Sequence, residues 1–179
     1  MEEEIIRFAL ATGKLKRTVR TGWKFRGVKD PESVAEHSFR TAMLAMLLSG
    51  NDRLIRMALL HDIEEAVTGD IMTFEKNKIN KDTLLKKQES ALKQIFSGLP
   101  AKDVKEYLKL WKESEELNTD DANFLKQIDK LEMMLQAFEY EQEDNTNRGK
   151  LQSFWDDQDK TITDPRIRKI YLKLKEMRK

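Results

Sequence analysis

The feature that most limits what this chain can fold into is the spacing of its apolar residues. They recur every three or four positions rather than every two, and only seven Gly and three Pro interrupt the 179 residues. A period near 3.6 gathers apolar side chains on one face of a helix, whereas a half-buried strand needs strict alternation. The chain is therefore expected to be all-α, a bundle of about six to eight helices, in one domain spanning residues 1–179.

Ile5, Ile6, Ala9 and Leu10 predict a first helix that stops near Gly13. Residues 14–32 mix basic side chains, aromatics and glycines without a period and read as a long ordered loop. Ser33 predicts an N-cap, with Glu36 as its capping-box partner, for a helix running to Gly50. Asp52 opens the next, carrying Leu54, Ile55, Ala58, Leu59 and Ile63 toward a break at Gly69. A polar loop near 73–81 precedes helices over 82–97, 101–116 and 120–142, and Asp164-Pro165 starts a last one over 165–177. Segment 143–164 is too apolar at Leu151, Phe154 and Trp155 for a free linker. It reads as a packed irregular connection or as containing a short helix over 150–158.

Composition narrows the chemistry. With 33 Lys+Arg against 32 Asp+Glu, the chain lacks the basic excess of a nucleic-acid polymer binder. The absence of Cys removes disulfides, cysteine-based metal sites and a thiol nucleophile, and fits a reducing compartment. No apolar run approaches the roughly 20 residues that span a bilayer, and Met1-Glu2-Glu3-Glu4 is acidic where a signal peptide is basic. A soluble, cytoplasmic protein with no membrane partner is expected. Only His37 and His61 can supply a nitrogen ligand or a side-chain base near neutral pH.

His61-Asp62 ends an otherwise apolar segment, and burying such a pair is costly unless something compensates, as a divalent cation does. On a continuous helix, residues 58, 61, 62 and 65 share one face, which lets His61, Asp62 and Glu65 converge. His37 lies on the stripe Val34, Thr41, Leu44 and Leu48, which faces the core. Alone it reads as a core histidine bonded to a carbonyl; together with His61-Asp62 it points to a metal site. Such a site wants a further oxygen, and Asp129 qualifies as a carboxylate on an apolar helix face. It can equally be a boundary residue paired with Lys126 or Lys130.

The order His37, His61-Asp62, Asp129 resembles the H…HD…D pattern of the HD-domain superfamily of metal-dependent phosphohydrolases. The stretches LKRTVRTGW, PESVAEHSFR, RMALLHDIEEAVTGDI, QIDKLEMMLQAFEYE and LQSFWDD are similar to its 5′-deoxynucleotidase branch, across about residues 15–157. The resemblance implies an HD-domain helical bundle that hydrolyses deoxyribonucleoside 5′-monophosphates. His37, His61, Asp62 and Asp129 would hold one divalent cation (Co, Mn, Mg, Zn or Ni), which acidifies water and polarises a P–O bond. Glu65 corresponds to the catalytic carboxylate and Arg20 to the phosphate-orienting guanidinium. Asp62, Asp70, Ile71, Met72 and Thr73 correspond to substrate-contacting positions. In some relatives carboxylates like Glu65 and Asp70 hold a second cation instead. Relatives also form dimers, and the apolar surface of the 120–142 helix suits a homodimer.

Without that resemblance Arg20 reads as one solvated arginine in a basic loop. Where bacterial relatives place a Trp directly after this Arg, Thr21 stands here and Trp23 follows two residues later, either stacking on a base or anchoring the loop. The methionines read mostly as core filling, with Met72 touching substrate, and the C-terminal RIRKIYLKLKEMRK as an amphipathic closing helix. Other readings stay open: a cyclic-nucleotide phosphodiesterase, a dNTP triphosphohydrolase, or a nucleotide or metal sensor without turnover.

Overall fold

The computed structural model describes residues 2–178 apart from 73, 74, 76 and 77. Among these the chain is helical without strands, save one isolated bridge between Val19 and Ser33. The helices are α1 (Glu2–Thr12), α2 (Thr21–Phe25), α3 (Val34–Ser49), α4 (Asp52–Leu60), α5 (Glu65–Thr68), α6 (Lys81–Ile95), α7 (Ala101–Glu116), α8 (Asp120–Glu143), α9 (Asn147–Thr161) and α10 (Pro165–Arg178). A 3₁₀ turn, Gly13–Arg17, follows α1.

Local chemistry places the boundaries where the periodicity predicts them. The Ser33 hydroxyl accepts from the Glu36 amide, and the Glu36 carboxylate accepts from the Ser33 amide at 2.7 Å, closing the capping box of α3. Gly50 takes φ +62° at its far end, a left-handed geometry that a Cβ disfavours. Two segments hold more helix than expected. The basic loop contains α2, and α9 extends across Asn147–Thr161, with Leu151 and Trp155 buried.

One difference bears on function. The segment from Asp52 is not continuous to Gly69, because α4 ends at Leu60 and residues 61–64 form a tighter turn. Its amides bond three residues back, Ile63 to Leu60, Glu65 to Asp62 and Ala66 to Ile63. Three residues per turn bring positions 62 and 65 into line, so the convergence expected from a common α-helical face arises from a 3₁₀-like corner instead.

Helix α8 is central, packing against α3, α4, α7, α9 and α10. Its buried residues include Leu125, Ile128, Leu131, Met134, Ala137 and Tyr140, and burial on so many sides marks an internal helix. Its apolar surface is thus consumed within the chain. Exposed apolar side chains lie elsewhere, among them Ile5, Ile6 and Leu10 on α1 and Phe39, Met43, Met46 and Leu47 along one face of α3.

Candidate functional site

Two acidic residues on the central helix, Asp129 and Glu132, are buried among apolar neighbours, an arrangement that is unfavourable unless each is compensated. The compensation comes from α3, from the corner after α4 and from the basic loop, and it builds a site.

His37, in the second turn of α3, is fully buried. Its Nδ1 meets the Glu132 carboxylate, which turns its Nε2 to the other side. His61, first residue of the corner, bonds through Nδ1 to the Ala58 carbonyl at 2.7 Å, and its Nε2 is likewise directed away. The two rings lie 5.4 Å apart, and both Nε2 atoms are buried without a hydrogen-bond partner among the described residues.

Carboxylate oxygens surround these nitrogens. Asp129 Oδ1 is 3.3 Å from His37 Nε2, and Asp62 Oδ2 is 3.3 Å from His61 Nε2 and 3.7 Å from His37 Nε2. Ligand atoms held at about 2.1 Å from one cation stand roughly 3 to 4 Å from each other. His37, His61 and Asp129 thus offer atoms close enough together for one small divalent ion, with Asp62 beside them, and both histidine tautomers are fixed by their Nδ1 partners.

The electrostatics point the same way. Burial and Arg20 oppose protonation of His37, yet Glu132 and Asp129 outweigh them and push the imidazole up to about 9. A potential that holds a proton so firmly also attracts a metal cation, which competes for the same nitrogen. Burial disfavours charge on Asp129 and Asp62, but Lys126 and His37 hold the first well below the usual carboxylate range, and His61 and Arg20 hold the second below it.

Arg20 reaches the site by a folded path. Its amide donates to the Glu32 carbonyl at 2.9 Å, and the Val34 amide donates to Thr18, so the loop lies along the entry to α3. The Thr21 amide then donates to the Asp70 carboxylate and its hydroxyl to the Asp70 carbonyl, tying the loop to the exit of α5. Arg20 Nη1 stands 3.3 Å from Asp62 Oδ2, and Asp62, Asp129, Asp70 and Glu65 together hold its charge against burial. Glu65, one position past the corner, is 3% exposed. Lys126 bonds to Asp129 at 2.7 Å, as the boundary reading expects, but Asp129 is buried beside the imidazoles rather than on a solvated flank.

These groups border a cavity of about 590 Å³, in the range of small-molecule sites. Arg20, His61, Asp62, Glu65, Asp70 and Asp129 line it, as do Ile71 and Met72. Thr73 lies outside the described residues. The same cavity has an aromatic wall with Trp23, Phe25 and Phe154, and the Arg26 guanidinium sits 5.1 Å over the Phe154 ring. Trp23 is mainly an anchor. It is 3% exposed, donates from Nε1 to Glu32 at 2.9 Å and packs edge-on against Tyr140 and Phe154.

Sequence reasoning passed over three buried acids. Glu132 holds His37, and the signal was available: it follows Asp129 by three on the same apolar helix. Glu32, beside it, is pushed up to about 7 by burial and by the Glu132 charge. Glu64 points away from the site, accepting from Trp111 at 2.8 Å and Gln88 at 3.0 Å, and burial with the nearby Asp62 charge raises it to about 8. Glu32, His37 and Glu132 also form a second group with metal-ligand chemistry. There, however, Arg40 lies 2.9 Å from Glu132 and Trp23 donates to Glu32, so a guanidinium already supplies the positive charge.

Comparison with known proteins identifies the family. The family model of the HD domain matches residues 12–170. The chain is 41% identical to the 5′-deoxynucleotidase HDDC2 of Mus musculus, over 91% of this chain and 82% of the mouse protein. It superposes on a conserved hypothetical protein from Pyrococcus furiosus with TM-score 0.74 and 31% identity, covering 96% of this chain and 99% of that one. A protein described as a predicted metal-dependent phosphohydrolase, from Magnetospirillum magnetotacticum MS-1, gives TM-score 0.71 at 26% identity over 98% of this chain and 91% of the other. Matched by the HD-domain model over most of its length and 41% identical to the mouse relative, the chain belongs to the HD-domain family.

Proposed function

We propose that this chain is a metal-dependent phosphoric monoester hydrolase, a 5′-deoxynucleotidase that converts deoxyribonucleoside 5′-monophosphates to deoxynucleoside and phosphate. One observation carries the reading: His61, Asp62 and Asp129 line a cavity of a size suited to a nucleotide, His37 stands directly behind them, neither imidazole Nε2 has a hydrogen-bond partner among the described residues, and Arg20 lies beside them. The name of the mouse relative supports the substrate class.

His37, His61, Asp62 and Asp129 would hold one divalent cation (Co, Mn, Mg, Zn or Ni), which supplies Lewis-acid polarisation of a phosphoryl oxygen and acidified water. Arg20 orients the phosphate by its planar fork. Glu65 accepts the proton of the attacking water at its carboxylate. Asp70 holds the Arg20 loop through Thr21 and, with Ile71 and Met72, faces the nucleoside; Thr73 is assigned to the substrate by the resemblance alone. The aromatic wall at Trp23 and Phe154 suits the base.

A cytoplasmic location fits the cysteine-free composition, and no described helix is long and apolar enough to cross a membrane. The chain acts as a homodimer, and the exposed α3 stripe of Phe39, Met43, Met46 and Leu47, rather than α8, is the face suited to it.

The test is phosphate release from a panel of deoxy- and ribonucleoside monophosphates with Co²⁺, Mn²⁺ or Mg²⁺. Release from the deoxy series is expected. A folded, metal-loaded chain that frees no phosphate from any monophosphate overturns the reading, and triphosphate released from dNTPs replaces it with a triphosphohydrolase.

A further inference from the structure

Behind the metal ligands lies an acidic side chain that the proposed reaction does not use. Glu132 is fully buried on α8, one turn beyond Asp129. One carboxylate oxygen meets His37 Nδ1 and the other accepts from Arg40 Nε at 2.9 Å. Arg40 is itself clamped: its other nitrogens donate to Glu139 at 2.7 Å and to Gln136 at 2.5 Å. Every Arg40 partner sits on α8, within two turns of Glu132. The arginine therefore comes from the same helix as His37 and grips the same helix as Glu132.

We propose that Glu132 is a positioning residue of the metal centre, holding His37 by Nδ1 so that Nε2 faces the cation, with Arg40 fixing the carboxylate in place. The inference rests on the metal centre proposed above, and it concerns binding of the ion, independent of any substrate. Its physical content lies in a contrast with His61. That ring has only a neutral backbone carbonyl on Nδ1, whereas His37 has an anion. An anionic partner raises the basicity of a histidine ligand and restrains its rotation, and such partners are worth about 10- to 100-fold in metal affinity.

A purely structural role predicts something different. Removing one partner of a buried ion pair costs stability, so loss of stability alone does not separate the two roles. If Glu132 only ties the helices together, Glu132→Gln and Glu132→Met lower the melting temperature, but once folded they bind the ion as the parent does. If it positions His37, affinity follows the order Glu, Gln, Met, since Gln keeps an acceptor for the Nδ1 proton without the charge and Met keeps neither.

The experiment uses the full chain and Co²⁺ as the probe ion, read by calorimetric titration and by the visible absorption of bound Co²⁺, without nucleotide. Glu132→Gln is expected to weaken Co²⁺ binding by about 10-fold and Glu132→Met by about 100-fold, with a changed absorption band at saturating metal. Arg40→Met, which leaves both site residues intact, is expected to weaken binding by a few-fold and carries the test if Glu132→Met does not fold. Variants that fold, bind Co²⁺ like the parent and keep its spectrum overturn the proposal, as does a parent chain that takes up no Co²⁺. A parent that binds Co²⁺ through His61 and is weakened at Glu132, yet hydrolyses no monophosphate, supports this inference while overturning the proposed reaction.

Discussion

Two clusters of charged side chains tie other elements to α8 in opposite ways. In one, Arg53 of α4 lies 2.9 Å from Glu113 of α7 and 3.1 Å from Asp121 of α8, with Thr119 donating to Glu113 at 2.7 Å and Asn51 to Asp121 at 3.3 Å. Each carboxylate there has its donor, Arg53 is 39% exposed, and water can take up what remains. In the other, His37, His61 and Asp129 are buried, Asp62 is partly so, and two imidazole nitrogens face carboxylates without a hydrogen bond among the described residues. The first cluster is complete as a piece of structure. The second has donor atoms aimed at a common point, an arrangement that a fold does not maintain for its own stability. Charge density alone does not mark a site; unused ligand atoms in a buried, fixed geometry do.

The sharpest way to break this contrast is Glu65→Gln. Glu65 lines the cavity beside the cluster. As proton acceptor it contributes about 10²- to 10⁴-fold to turnover, so the glutamine variant should lose that much in kcat while binding one Co²⁺ per chain as before. If Glu65 instead holds a second cation, equilibrium dialysis will show the bound metal falling from two ions to one. An unchanged kcat removes Glu65 from the chemistry.

How much of this was legible in the sequence follows from what each element depends on. The capping box at Ser33 and the left-handed Gly50 are local devices, so α3 was readable end to end. The corner at 61–64 was not, because a run of apolar and acidic residues continues through it, and the switch to bonds three residues back reflects tertiary packing of His61 and Glu64. The ligands His37, His61 and Asp62 stood out because the chain holds only two imidazoles and one sits beside an Asp. Glu132 did not, since a glutamate on a long helix is ordinarily solvated and only the packing of α8 at the centre buries it. The α3 stripe ending at Leu47 escaped notice for the converse reason: the methionines were assigned mostly to the core, and the structure leaves Met43 and Met46 outside, beside Phe39 and Leu47.

A second, smaller effect sets Glu64 against its neighbour. Glu64 faces Trp111 and Gln88, away from the cavity, and carries a carboxyl raised from 4.5 to about 8 by burial and the Asp62 charge. For an acid whose folded value lies above its unfolded one, the stabilising contribution is present below about 4.5 and is lost as pH rises through about 8. In EDTA, the parent should therefore lose more melting temperature between pH 5 and pH 8 than Glu64→Gln does. Comparing the two slopes cancels the other titrating groups and any constant cost of the amide. Parallel curves would mean that Glu64 is ionised in the folded chain throughout, sustained by its two donors.

The smallest effect belongs to the self-contained cluster. Arg53→Met removes a partly exposed guanidinium from Glu113 and Asp121, each of which retains a neutral donor in Thr119 or Asn51. Exposed ion pairs are worth about 1 kcal/mol or less, which in a chain of this size lowers the melting temperature by about 2–4 °C. Co²⁺ affinity and phosphate release should both be unchanged, because no atom of this cluster is among those that converge on the site. If Arg53→Met instead altered Co²⁺ binding, the two clusters would be coupled through α4, whose last turn supplies the Ala58 carbonyl that orients His61. The division between structural and ligand-binding charge would then fail at the helix the two clusters share.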